Sequence, residues 1–99
     1  MVRKFDVYLC ESHGSDKPCV VLTPDDLCEA LPYVLIAPIT VFKRDFPCRL
    51  GVKLKGQQAQ IALDLIHTVP KTDLGSRLGA LPEQMQQMLI DTLAEMLIQ

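Results

Sequence analysis

A mainly β fold with some α, built as a single domain over residues 1–99, is what the sequence predicts. Two periodicities carry that prediction. Apolar and polar side chains alternate every second residue in the clearest stretches of the first two thirds, whereas apolar residues recur at helical spacing only after Pro82. Size and composition agree: with 48% apolar and 22% charged residues, 99 residues suffice for one core and fall short of two domains.

The strands can be justified in order. Residues 5–10 set Phe5, Val7 and Leu9 against Asp6, Tyr8 and Cys10, the period of a half-buried strand. A polar turn, ESHGSDK, leads into residues 18–22, a β-branched run entered at Pro18, and the two form a hairpin. Thr23-Pro24-Asp25-Asp26 then offers an N-cap hydroxyl, a first-turn proline and early carboxylates, which predicts a short helix over residues 24–30. Residues 33–39 are continuously apolar and predict a third strand buried on both faces. After a polar and aromatic loop, residues 48–55 alternate strictly, with Cys48, Leu50, Val52 and Leu54 on one face. Gly56-Gln57-Gln58 reads as a turn and residues 59–66 as a fifth strand with Ile61 and Leu63 inward. Pro70 and the following polar residues break the chain before a last short strand at 76–81.

From Pro82 the period changes. Met85, Met88, Leu89, Leu93, Met96 and Leu97 recur at helical spacing, so a helix runs from about residue 82 to the end. Ile90 and Ile98 widen its apolar stripe beyond what one small sheet covers, as a helix that helps bury a partner subunit requires.

Several function classes drop out. The longest apolar-looking run, residues 34–42, is interrupted by Pro38 and Thr40 and is far below the roughly 20 residues of a membrane-spanning helix. The N-terminus MVRKFDVYL places Asp6 where a signal peptide stays apolar, so a cytoplasmic protein is expected. Cys10, Cys19, Cys28 and Cys48 contain no C-x-x-C pair, and His13 and His67 add no metal spacing. Reduced core thiols are expected, with no metal and no cofactor.

Charge is distributed unevenly. The formal net charge of −2 excludes a generic basic coat for nucleic acid. Between residues 40 and 56, however, five cations (Lys43, Arg44, Arg49, Lys53 and Lys55) stand against Asp45 alone, a local net of +4. Because side chains two apart share a strand face, Arg49, Lys53 and Lys55 form a row able to track a phosphate backbone. A solvated edge strand carries the same pattern. Phe42 and Phe46 flank the basic loop and suit either base stacking or core filling.

The segments FDVYL, GSDKPCVVLTP, APIT and ALDLIHTVPKTDLGSRLGAL, in that order and followed by a terminal helix, resemble the MazF/PemK toxins of bacterial toxin–antitoxin pairs, which are ribonucleases that cut single-stranded RNA. The resemblance covers nearly the whole chain. It implies an SH3-like twisted antiparallel sheet or barrel of five to six strands, a homodimer, and RNA bound in a groove across the dimer. It also implies metal-free cleavage by attack of the ribose 2′-hydroxyl on the adjacent phosphate.

The family's two usual catalytic residues, an arginine before the proline of the second strand and a threonine ending the third, fall here on Lys17 and Thr40. Lysine supplies a cation but not the planar, bidentate grip of a guanidinium. His67 stands where the family often has arginine and is assigned to RNA contact with Phe42, Lys43, Arg44, Phe46, Arg49 and Lys53. An acidic, partly disordered antitoxin is the expected protein partner, lying along Lys43, Arg44, Arg49 and Lys53. Two other readings fit the same scaffold. One is a CcdB-like gyrase poison, disfavoured by the absence of Trp and the ending AEMLIQ; the other is a non-catalytic, degenerate toxin or binding module.

Overall fold

The computed structural model of the chain describes residues 1–11, 17–41 and 44–97. Seven strands form one curled antiparallel sheet: β1 (Asp6–Cys10), β2 (Lys17–Val21), β3 (Tyr33–Thr40), β4 (Arg49–Leu54), β5 (Gln57–Ala62), β6 (His67–Pro70) and β7 (Leu74–Ala80). The order along the sheet is β4-β5-β3-β2-β1-β7, with β6 placed beside β3. Helix α1 (Asp25–Ala30) and helix α2 (Glu83–Leu97) complete the fold. Among the described residues no helix is long and apolar enough to cross a membrane.

Strand β3 joins the parts. One edge pairs with β2 in the register Cys19↔Pro38 and Val21↔Ile36. The other edge is shared: Tyr33 to Ile36 pair with β6, then Ile39 and Thr40 pair with β5. Ala37 and Pro38 stand at this handover, where neither neighbour pairs with them among the described residues. Proline has no N–H to leave unsatisfied, which suits it to a break in the ladder.

Alternation along the strands divides the apolar side chains between two cores. On one face Val7, Val20, Ala37, Ile39 and Ile61 pack with Leu63, Leu81 and Leu89 of α2. On the other, Tyr8, Cys19, Val21, Val34, Ile36 and Val69 pack with Cys28 of α1. Burial of both faces is why the central strands read as nearly continuous apolar sequence. Helix α2 buries Leu89 fully and rests Met85 and Leu93 on the first core, leaving Met88, Met96 and Leu97 exposed.

Several boundaries differ from those expected, each for a local reason. The run 59–66 is not one strand: β5 stops at Ala62, and Leu63–Leu65 form a 3-10 turn. The Leu63 N–H donates to the Cys48 carbonyl at 3.1 Å, the last rung of the β4–β5 register, and the ladder ends there because the partner chain turns, with the Arg49 N–H donating back to the Phe46 carbonyl at 3.0 Å, while the Asp64 carboxylate is held by Arg49. The chain re-enters the sheet as β6, within a segment whose proline read as a break. Lys55 lies in the β4–β5 turn, not in the strand. It and Gly56 adopt φ of 52° and 78°, the two left-handed residues of a type I′ hairpin between Leu54 and Gln57. Tyr33 and Leu35 are exposed, so β3 is covered on both faces only in its second half.

Thr23 also departs from its expected role. It makes no cap to α1, where Pro24 occupies the N-cap. Instead its buried hydroxyl accepts the Leu35 N–H at 2.8 Å, tying the α1 entrance to β3. Replacing Thr23 by Val keeps the shape and removes that acceptor, leaving the amide unsatisfied. Thr23→Val is expected to lower unfolding free energy by about 1–3 kcal/mol in urea denaturation, with the helical circular dichroism signal retained.

Candidate functional site

A groove of about 470 Å³ opens beside Cys10, Cys19 and Ile36 of the second core and reaches Ile39, Leu54 and Ala59 of the first. Its polar lining comes from Lys17 of β2, Thr40 of β3, Gln57 of β5 and His67 of β6. Pro18, Ile36, Pro38, Val41, Leu54 and Leu65 supply apolar walls, and Cys10 and Cys19 also line it. A short polar set in a largely apolar cleft is the usual composition of a ligand site.

The register explains why residues 17 and 40 share this groove. Leu22 donates its N–H to the Leu35 carbonyl at 2.8 Å, which marks that pair as hydrogen-bonded. Residues 21/36 and 19/38 are then the alternate pairs, whose Cα atoms approach to about 4.5 Å and whose side chains lie closest. Lys17 and Thr40 stand two residues beyond the Cys19↔Pro38 pair, at the same end of the two strands, and both line the groove. Lys17 is exposed and is also the cross-strand partner of Cys10 in β1. Thr40 is half-buried and pairs on its other side with Gln60.

His67 enters the groove from β6, opposite Ile36. Its Nδ1 lies 3.0 Å from the Leu65 carbonyl. A carbonyl only accepts, so this contact places a proton on Nδ1. Burial pushes the Cys19 thiol up to about 12, so it stays protonated at neutral pH.

Among the described residues the remaining candidate cations stand outside the groove lining. Arg44 is exposed, and its backbone is held by the Gln60 side chain: the Arg44 N–H donates to Gln60 Oε1 at 3.0 Å, and Gln60 Nε2 donates back to the Arg44 carbonyl at 3.3 Å. Arg49 is engaged with Asp64 through Nε at 2.6 Å and Nη2 at 3.0 Å, and its guanidinium sits 5.7 Å from the Phe46 ring centroid. Its side chain is only 8% exposed. The expected row of Arg49, Lys53 and Lys55 is therefore interrupted, with one end in an ion pair and the other in a turn. Lys53 remains exposed on β4, beside the groove-lining Leu54. Phe42 and Lys43 lie outside the described residues. Gln57 and Leu65 were not singled out by sequence, since only the β5 register and the 3-10 turn bring them into the groove lining.

With the groove and its residues placed, the family follows from comparison. A family model described as the PemK-like, MazF-like toxin of type II toxin–antitoxin systems matches residues 3–97. The chain belongs to this family. Among curated proteins none matches the PemK/MazF chain by sequence. Solved structures share its fold at low identity. An endoribonuclease from a mycobacterial species, in complex with its cognate antitoxin, superposes with a TM-score of 0.87 at 20% identity, covering 96% of this chain and 93% of that one. The Mycobacterium tuberculosis toxin MazF-mt6 gives 0.82 at 22% identity, over 91% and 93%. A MazE–MazF complex from Deinococcus radiodurans gives 0.81 at 13% identity, over 97% and 95%.

The Arg49–Asp64 contact makes a pH-dependent prediction. Hydrogen bonds from the guanidinium hold the Asp64 carboxyl below its ordinary value and raise Arg49. The folded carboxyl thus ionises more readily than the unfolded one, and its stabilisation is present above the ordinary carboxylate range and lost as pH falls through it. Asp64→Asn is expected to lower stability by about 1 kcal/mol at neutral pH. In denaturation midpoints the gap between variant and native chain should close between about pH 5 and pH 2.

Proposed function

We propose that this chain is the toxin of a type II toxin–antitoxin pair and acts in the cytoplasm as an endoribonuclease on single-stranded RNA. The reading is carried by one observation: Lys17 and Thr40, the positions matching the family's catalytic pair, line one groove at the same end of β2 and β3.

Chemistry at such a site needs no metal. The ribose 2′-oxygen attacks the adjacent phosphorus and loses its proton to solvent; the bond from phosphorus to the 5′-oxygen breaks. The products are a 2′,3′-cyclic phosphate and a 5′-hydroxyl. The Lys17 ammonium sits against the extra negative charge of the phosphorane and gives a proton to the departing 5′-oxygen. The Thr40 hydroxyl donates to a non-bridging phosphate oxygen and fixes the phosphate beside that ammonium.

Apolar walls leave room for bases, while Arg44 and Lys53 extend positive charge from the groove along the RNA. His67 contacts the strand at the β6 side, Phe46 offers its exposed ring, and Arg49 contributes charge through a guanidinium already shared with Asp64. Lys43 and Phe42 continue the same basic loop. The homodimer buries the exposed apolar side of α2, and an acidic antitoxin covers the cations Lys43, Arg44, Arg49 and Lys53, an association that weakens as salt rises.

Purified protein incubated with a long single-stranded RNA in EDTA is expected to cut at defined positions, mapped by primer extension. Lys17→Ala should lower kcat by about 100-fold or more, and Thr40→Val should lower it as well. Lys17→Arg should retain cleavage. Absence of cuts by the native chain, or equal cutting by Lys17→Ala, overturns the assignment. Gyrase-dependent DNA breakage would identify a gyrase poison, and RNA binding without cleavage a degenerate module.

A further inference from the structure

We propose that Cys10 and Cys19 form a dithiol site for a soft monovalent cation, Cu(I), in the groove wall, with Lys17 as its counter-charge. Cys10 and Cys19 are nine residues apart in sequence and are brought together by the β1–β2 hairpin. Tyr8 is the register partner of Cys19, so Cys10 lies diagonally across the same sheet face. The two side chains belong to the same buried cluster on that face. Both are buried, at 6% and 1% exposure, and both line the groove, which gives an ion a route to the sulfurs.

The chemistry of the pair selects the ion. Thiolates prefer soft cations, and two ligands suffice for Cu(I), whereas structural zinc takes four. Among the described residues no group of three His, Cys, Asp or Glu side chains gathers to hold a metal. Capture is a ligand exchange without electron transfer. Each thiol loses its proton to solvent, two sulfur–copper bonds form, and a complex of net charge −1 results. Lys17, directly across from Cys10 on the same face, supplies the compensating +1. This balance is what a pair of buried thiols otherwise lacks, since burial alone opposes a net charge.

A consequence follows that rests on the function proposed above. An ammonium held against a copper–thiolate anion is withdrawn from RNA phosphate, so the loaded chain should not cleave.

Binding can be tested without RNA. The full chain is titrated anaerobically with Cu(I) in competition with bicinchoninate, whose copper complex is coloured. One equivalent should be withheld from the chelator by the native chain and by Cys48→Ser, and copper X-ray absorption should report two sulfur neighbours. Cys10→Ser and Cys19→Ser should each lose the bound equivalent, and Lys17→Gln should weaken it while leaving both sulfurs in place. Circular dichroism of each variant checks folding; should a serine variant unfold, Lys17→Gln and the absorption spectrum decide. No copper withheld by the native chain, retention by a folded single-serine variant, or loss in Cys48→Ser overturns the proposal. Cleavage assays of copper-loaded and copper-free chain then address the consequence separately: a chain that holds copper but never cuts RNA refutes the ribonuclease reading and leaves the dithiol site standing.

Discussion

The register between β2 and β3 is the constraint on which the rest of this structure depends. Cross-strand pairing has a period of two, so a slip of one residue would turn Lys17 out of the groove it shares with Thr40 and exchange the two cores at once. The apolar pattern forbids that slip. Val20, Ala37 and Ile39 are needed beneath α2, while Cys19, Val21 and Ile36 are needed against α1. Packing on both faces therefore fixes a polar pair at the strand ends, where the core itself has no use for them. Stability and the proposed chemistry share one set of pairings.

Around that register, side chains take over tasks the backbone leaves undone. Thr23 closes the gap between the α1 entrance and β3, and Gln60 holds the backbone of Arg44 as a strand neighbour would. Asp6, buried at 3% exposure, accepts the Arg3 N–H at 3.0 Å and a hydrogen bond from Arg77 at 3.1 Å, linking the first strand to β7. Arg49 and Asp64 do the same between β4 and the turn after β5. Each anchors a place where the sheet changes direction, and two of them use charges that a sequence reading assigns more readily to solvent or to a ligand.

Much of this was legible in the sequence, because alternation and helical spacing record burial directly. β1, β2, β4 and α2 stand within a residue or two of their expected bounds, and the curled antiparallel sheet is the one the family resemblance implies. What escaped was information held in partners distant along the chain. Nothing local to residues 59–66 shows that the partner strand turns away before Cys48 and that Arg49 holds Asp64, and so β6 stayed hidden. The same limit applies to the site. Lys17 and Thr40 were found through family motifs, yet the basic row drawn from β4 spacing took no account of Asp64, fifteen residues on, which engages Arg49. Cys10 and Cys19 carry no motif at all, since a hairpin rather than a spacing rule makes them neighbours.

Pro38 gives the sheet a seam. Residues at even positions of β3 turn their amides away from β2, so the imino nitrogen of Pro38 faces the interval between β6 and β5. Any other residue type would bring a proton there with no strand to receive it. The missing donor lets the two halves of β3 follow different neighbours, and the cleft lies along that fold line.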